Sequence, residues 1–400
     1  MGCSRRDFLT GALVGSLALN APARAATDSN KSKTGGAAKL PVIVAANNGF
    51  DYLDDAYAFL QGGGDTLDAA IKVVKGAEDD PNDTSVGLGG LPNEEGVVEL
   101  DACCMHGPTR RAGAVGAVHN IRSVALLSKT VMDHTGHVML VGDGAERFAV
   151  AQGFQKENLL TDSTRKIWLL WKETHSDWWG PGLADKDWKR RIHHGQQSEE
   201  WQLRMQRMQE IAADLGIEPD KRMDAIKKVL RPPTGTIHCS ALAKNGEISG
   251  CTTTSGLAWK IPGRLGDSPI IGAGCYTDPD VGSAGATGSG EENIKIAACH
   301  TIVENMRHGM SPLDAGIDAL NRIVKNYNHD MERLQYVDVT YYILKADGSY
   351  AGVSLWDGYE PGKAHKIAIH DGTKRAEKTV SMFKGASNAW PPSPSDAPNI

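Results

Sequence analysis

Three stretches between Gly235 and Gly288 carry residue types that can do chemistry together. In Pro233-Thr234-Gly235-Thr236-Ile237 a hydroxyl residue stands at the start of a strand, directly after a charged segment. Cys251-Thr252-Thr253-Thr254-Ser255-Gly256 brings a cluster of hydroxyls to the end of the strand expected to pair with it. Gly263-Arg264-Leu265-Gly266-Asp267-Ser268-Pro269 sets an Arg and an Asp three apart in a turn. A guanidinium and a carboxylate on one loop can grip the α-carboxylate and α-ammonium of an amino acid. The same two groups can instead pair with each other and close a Gly-rich turn, and residue types alone do not separate these readings.

Other candidates are weaker. Gly87-Leu88-Gly89-Gly90 and Gly285-Ala286-Thr287-Gly288-Ser289-Gly290 read as glycine-rich turns, and neither carries the Gly-Lys-Ser/Thr of a phosphate loop. The second runs into Glu291-Glu292-Asn293-Ile294, a helix start whose backbone N–H groups can hold an oxyanion. His134 with His137, and His193-His194, lack a convincing third ligand, so no metal is expected. His238 shares strand parity with Thr236 and Ser240, which is not by itself a catalytic pair. Beyond Cys3, Cys103, Cys104, Cys239, Cys251, Cys275 and Cys299 form no zinc spacing and read as buried thiols more readily than as any particular bridge. Cys103 and Cys104 should face opposite sides of one strand.

These residues need a frame. Leu40 to Ala46 is a continuous apolar run, hence a buried strand. Asp51 to Gln61 reads as a helix ended by Gly62-Gly63-Gly64, and Asp65 or Thr66 caps a second with Leu67, Ile71 and Val74 on one face. Val97 to Met105 and Val138 to Val141 read as strands, and Ala145 to Gly153 as a short helix. Residues 160–232 are charged and hold six of the nine Trp, with helices over Ser198–Leu215 and Asp224–Leu230. This part reads as a linker or insertion without its own core. Thr236–Ala243 and Ile248–Thr254 form a hairpin around Lys244-Asn245-Gly246-Glu247. A helix opens at Ser311-Pro312, and Val337–Leu344 with Tyr350–Leu355 form a second hairpin. Blocks of helices alternate with hairpins. That pattern predicts antiparallel sheets covered by helices, an α+β plan rather than a doubly wound parallel sheet.

The chain has 400 residues, enough for two to three domains or one large one, and 40% are apolar, so a packed core is expected. Its net charge of −6 disfavours nucleic acid and anionic membranes as partners. Ser4-Arg5-Arg6-Asp7-Phe8-Leu9, an apolar run to Leu19 and Ala23-Arg24-Ala25 follow the order of a twin-arginine export signal over residues 1–25. The mature chain is expected to begin near Ala26, in a bacterial periplasm or outside the cell. The tail from Asn388 is rich in Pro and Ser.

The run TTTSGLAWKIPGRLGDSPIIGAGCYTD resembles the glycosylasparaginases, N4-(β-N-acetylglucosaminyl)-L-asparaginases, and their relatives the type-2 L-asparaginases or isoaspartyl peptidases. The likeness extends through Ser85-Val86-Gly87-Leu88-Gly89-Gly90-Leu91-Pro92, Leu100-Asp101-Ala102-Cys103-Cys104-Met105, Gly113-Ala114-Val115-Gly116-Ala117-Val118 and His137-Val138-Met139-Leu140-Val141-Gly142. Both groups are N-terminal nucleophile hydrolases. The resemblance implies a four-layer αββα sandwich made as one chain that cuts itself between Gly235 and Thr236. It implies an N-terminal chain of 26–235, including the Trp-rich segment at about 160–235, and a C-terminal chain of 236–400. The freed α-amine of Thr236 then serves as base for its own hydroxyl. On the same resemblance Thr254 orients the nucleophile, Arg264 holds the substrate α-carboxylate, Asp267 its α-ammonium, Thr287 and Gly288 form the oxyanion hole, and Ser85 lies near the nucleophile. The implied reaction cleaves the side-chain amide of an asparagine derivative such as GlcNAc-Asn through a β-aspartyl ester, with no cofactor, in a dimer of cleaved pairs.

Three positions depart from the glycosylasparaginase pattern. The residue before the nucleophile is Gly235 rather than Asp, as in the type-2 enzymes. Asn48 stands where a Trp is usual, and His238 where Gly is. Asn48 leaves more room and less apolar wall than a ring, which predicts a broader or shifted range of leaving groups. An L-asparaginase or isoaspartyl peptidase is therefore the rival of the same class. An uncleaved protein that binds an amino acid through Arg264 and Asp267 is the rival of another class.

Overall fold

The computed structural model describes residues 38–175, 179, 201–233, 235–360 and 362–387. The export signal expected at 1–25, the tail from Asn388, and most of 176–200 lie outside them. The described residues belong to one compact unit, Thr34–Ile400.

Fourteen strands follow along the described chain. They are β1 (Val42–Ala46), β2 (Leu100–His106), β3 (Arg111–Val118), β4 (Met139–Val141), β5 (Ile237–Leu242), β6 (Ile248–Thr254) and β7 (Cys275–Asp278), then β8 (Gly282–Gly288), β9 (Val339–Lys345), β10 (Tyr350–Glu360), β11 (Lys363–Ala364), β12 (Lys366–His370), β13 (Lys374–Lys378) and β14 (Val380–Ala386). One sheet has the order β13-β12-β1-β5-β6-β2-β3-β4, the other β11-β10-β9-β8-β7 with β14 on β10. Among these described strands only β3–β4 and β10–β14 pair in parallel. The architecture is α+β, as the alternating blocks predict.

Local chemistry explains the elements that were legible. Asp65 caps the helix Thr66–Asp79 by accepting from the amides of Leu67 and Asp68 at 2.8 and 3.0 Å. Its face of Leu67, Val73 and Val74 packs fully buried on β5 and β6, each side chain contributing about 1.5–3 kcal/mol. Ser311 caps the helix Pro312–Asn326, which packs on β9 and β10. The helix Val124–His134 lies on β2 and β3, and the helix Ala298–Arg307 on β7 and β8. Cys104 buries in the cluster on the helix side of β2, with Ala125 and Met132, while Cys103 packs with Ala114 and Cys275. The two neighbours thus face opposite ways, and all six described cysteines are free and buried.

Three expectations need correction. The segment 160–232 is not coreless. Helices Asp162–His175, Trp201–Asp214 and Arg222–Leu230 enclose a small core of Ile167, Leu170, Met208, Ile211, Ile226 and Val229. Each helix buries one narrow stripe and is charged elsewhere, so composition alone reads as a solvated linker. The ring of Trp171 stacks on Trp259 at 5.1 Å, which fastens this unit to the loop after β6. The glycine-rich run 285–290 is not a turn throughout, since its first half is the buried strand β8. The helix expected from Asp51 is 3-10 over Asn47–Tyr52 and α-helical only from Leu53.

Gly285 of strand β8 lacks a side chain because of what faces it. His238 on β5 points between the sheets, hydrogen-bonded to Thr252 Oγ1 (2.8 Å) and Ser240 Oγ (2.7 Å). Ser240 donates on to Ser283 of β8 at 2.8 Å. A Cβ on Gly285 would stand 1.9 Å from Cγ of His238, so the absent side chain is the slot for the ring. Gly285→Ala should destabilise the protein by about 1–3 kcal/mol, the usual scale of overpacking. In denaturant unfolding a companion His238→Ala change should recover part of that loss, because the two sites are in contact.

Candidate active site

Strand β5 runs centrally between β1 and β6, paired antiparallel to both. The residue before it is Thr236. On β6, Thr253 is opposite Ile237, so Thr254 comes level with Thr236, and Asp101 of β2 pairs with Thr254 on the other side. The register of three strands therefore delivers two hydroxyls to one end of the sheet. Thr236 Oγ1 donates to the carbonyl of Gly235 at 2.9 Å and lies 3.3 Å from Thr254 Oγ1. Thr254 Oγ1 donates to the same carbonyl at 2.7 Å and accepts from the amide of Gly256 at 2.9 Å. Both threonines are buried. Two hydroxyls thus polarise one peptide carbonyl, and one of them belongs to the next residue.

The loop after β6 is held from below by a buried ammonium. Lys260, 4% exposed, donates to the carbonyls of Glu99 and Ser255 at 3.2 and 3.3 Å. Its charge sits 3.6 Å from Glu99 Oε2 and 4.0 Å from Asp101 Oδ2. Burial alone would raise the Glu99 carboxyl, but hydrogen bonds from His119 and the Gly263 amide, with Lys260, bring it below the ordinary value. Asp101 remains raised by burial. This cluster ties the Arg264 loop to β2, and isolated charges in the sequence do not announce it.

Arg264 and Asp267 do not pair with each other. Arg264 donates through Nε and Nη2 to Glu291 Oε1, at 2.8 and 2.6 Å. Asp267 is buried, accepts from Asn293 Nδ2 at 2.7 Å, and Asn293 in turn accepts from Tyr341 at 2.9 Å. A Cβ on Gly290 would lie 2.8 Å from both the amide and Oδ1 of Asp267, so that glycine lets the turn after β8 approach the carboxylate. Burial pushes the Asp267 carboxyl up to about 6, against the opposing pull of Asn293 and the more distant Arg264 charge.

A cavity of about 250 Å³ brings these groups together: Gly235, Thr236, Thr254, Arg264, Asp267 and Gly288 all line it. Thr287 does not line it, and its hydroxyl meets Tyr342 at 3.2 Å. Ser85 lies behind Gly235 rather than in the cavity, and Asn48 is exposed and hydrogen-bonded to Asp83. Glu291, Leu257 and Tyr336 also line the cavity, and sequence reasoning did not single them out as site residues. Glu291 was legible only as a helix start after Gly290. Tyr336, 60% exposed, stands just before β9 with no neighbouring motif.

An amino acid in this cavity would meet both a cation, Arg264, and a carboxylate, Asp267. Among the described residues no cation contacts Asp267, and stability should report it. The folded value of about 6 lies above the ordinary 3.8, so this residue's contribution is complete below about pH 3.8 and is lost as pH rises through 6. That loss amounts to about 3 kcal/mol for the ligand-free protein. Asp267→Asn should remove it, flattening the denaturant-stability profile between pH 4 and 7.

With this geometry in view, the relatives of the chain can be placed. Residues 45–334 match the asparaginase family. The chain is 35% identical to the N(4)-(β-N-acetylglucosaminyl)-L-asparaginase of Elizabethkingia miricola, over 93% of each chain. It is 34% identical to the enzyme of the same name from Rattus norvegicus, over 73% of this chain and 79% of that one. A probable isoaspartyl peptidase/L-asparaginase 3 of Arabidopsis thaliana is 30% identical over 78% of this chain and 84% of its own. Matches of this length leave one assignment: the chain belongs to the glycosylasparaginase and type-2 asparaginase family.

Proposed function

We propose that this protein is an amidohydrolase that cleaves the side-chain amide of asparagine derivatives whose α-amine and α-carboxylate are free, with GlcNAc-Asn as first substrate. The observation that carries the reading is the convergence of Thr236, Thr254, Arg264 and Asp267 on one small cavity. Arg264 takes the α-carboxylate and Asp267 the α-ammonium, which places the side-chain amide toward Thr236. The Thr236 hydroxyl attacks that amide, its proton taken by the α-amine of the same residue. The oxyanion is received at Gly288, with Thr287 next to it in the chain. The amine leaves, a β-aspartyl ester remains on Thr236, and water releases aspartate.

The α-amine must first be freed, and the same proposal includes cleavage between Gly235 and Thr236. It also includes an αββα layering. The helices packed on the outer faces of the two sheets and the His238 contact between them support that arrangement. Export by the twin-arginine route to the periplasm, and a dimer of cleaved pairs, complete the reading.

A second reading, L-asparaginase or isoaspartyl peptidase, is favoured by Gly235 before the nucleophile, the residue type that the type-2 enzymes carry there. Side-by-side kcat/KM values for GlcNAc-Asn, asparagine and β-aspartyl dipeptides decide between them. A much higher value for either of the last two would reverse the order.

Two further outcomes are expected. Arg264→Ala should raise KM and lower kcat/KM by about 2–5 kcal/mol, with a smaller effect on self-cleavage, since that step uses the chain's own peptide bond. Unchanged kcat/KM would remove the clamp. N-terminal sequencing of the C-terminal product should begin Thr-Ile-His-Cys, and Thr236→Ala should leave one chain. An active enzyme that remains uncut would overturn the nucleophile assignment.

A further inference from the structure

We propose that Asp83 is a positioning residue for cleavage of the Gly235–Thr236 bond, acting through Ser85 and steadied by Asn48. This inference rests on the self-cleavage just proposed and adds a residue outside the cavity to it.

The contacts run in one line. One carboxylate oxygen of Asp83 accepts from both the hydroxyl and the amide of Ser85, at 2.5 and 3.0 Å. The other accepts from Asn48 Nδ2 at 3.0 Å. A carboxylate only accepts, so the Ser85 hydroxyl proton is turned toward Asp83 and its rotamer is fixed. The carbonyl of Ser85 is also tied, accepting from the amide of Ser255 at 3.0 Å. Ser85 is therefore held at its amide, its hydroxyl and its carbonyl. Its side chain presses on Gly235: a Cβ there would lie 1.7 Å from Ser85 Oγ and 1.8 Å from Ser85 Cβ.

Gly235 is thus backed by Ser85 and held in front by the hydroxyls of Thr236 and Thr254 on its carbonyl. That clamp presents the carbonyl carbon to Thr236 Oγ1. In the reaction the Oγ–C bond forms, the C–N bond to Thr236 breaks, and the hydroxyl proton passes to the departing nitrogen. Water then opens the ester, leaving the Gly235 carboxylate and a free Thr236. Asp83 touches none of these atoms. It keeps the wall behind the scissile residue in place, and the same wall requires glycine at 235.

The test follows cleavage of the full chain over time by gel and intact mass, with thermal unfolding as the check on folding. Asp83→Ala should slow cleavage by about tenfold or more, the scale on which a misplaced reacting group acts. Asp83→Asn keeps one oxygen for Ser85 and should fall between Asp83→Ala and the parent. Gly235→Ala should block cleavage, and adding Ser85→Gly should restore it in part, since the two severe contacts, at 1.7 and 1.8 Å, are then removed. A merely structural role would lower the unfolding temperature of Asp83→Ala together with its cleavage rate, whereas a positioning role slows cleavage at unchanged unfolding temperature. If the parent chain cuts at Gly235–Thr236 while Asp83→Ala cuts as fast, or Gly235→Ala is cut normally, the positioning role is wrong. If the parent chain is never cut there, the self-cleavage reading itself has failed and this inference falls with it.

Discussion

The site depends on the pairing of β5 between β1 and β6. A central strand bonded on both edges has no freedom to slide, because a one-residue slip would turn His238 and Ser240 from the seam between the sheets onto the apolar helix side. With register fixed, Thr236 can stand only at the strand's mouth, level with Thr254. The remaining parts of the site are brought to that point by separate means. The Lys260 cluster pins the loop, and Gly290 lets the turn after β8 come close.

What is assembled there is not a stability device. Asp267 is buried with only neutral donors in hydrogen-bond contact, and its carboxyl is raised accordingly. Arg264, the natural counter-charge, is turned to Glu291 instead. A guanidinium and a buried carboxylate that line one cavity without pairing are what the proposed zwitterionic substrate would need. Lys260, by contrast, is matched to Glu99 and Asp101 and to two carbonyls, as a buried charge with no ligand must be.

The Trp-rich helical unit gains a physical role from the same geometry. Its Trp171 stacks on Trp259, and Trp259 donates its amide to the Pro92 carbonyl at 2.9 Å, so the unit braces the loop that leads to Arg264. Arg231, near its end, reaches the Ser387 carbonyl and anchors the chain just ahead of Gly235. Aromatic residues in a charged segment are here the contact surface of a small core, not a binding strip.

Much was open to reading in the sequence alone. Hairpin turns, the caps at Asp65 and Ser311 and the hydroxyl-rich end of β6 are local signals, carried by residues close together in the chain. So were the types and order of Thr236, Thr254, Arg264 and Asp267, and the likeness to a family. Strand β8 was not, because Gly285 is explained by His238, 47 positions away, and Gly282 and Gly288 by the backbone near β9, not by their neighbours in sequence. Nor was the partner of Arg264: an Asp three residues on is the obvious candidate, yet the folded loop turns the guanidinium to Glu291. Asp83 behind Ser85, Lys260 beneath its loop and the core of 160–232 are likewise products of packing. Residue types and local spacing determine which chemistry is available. Which groups meet was decided only when distant segments were buried against each other.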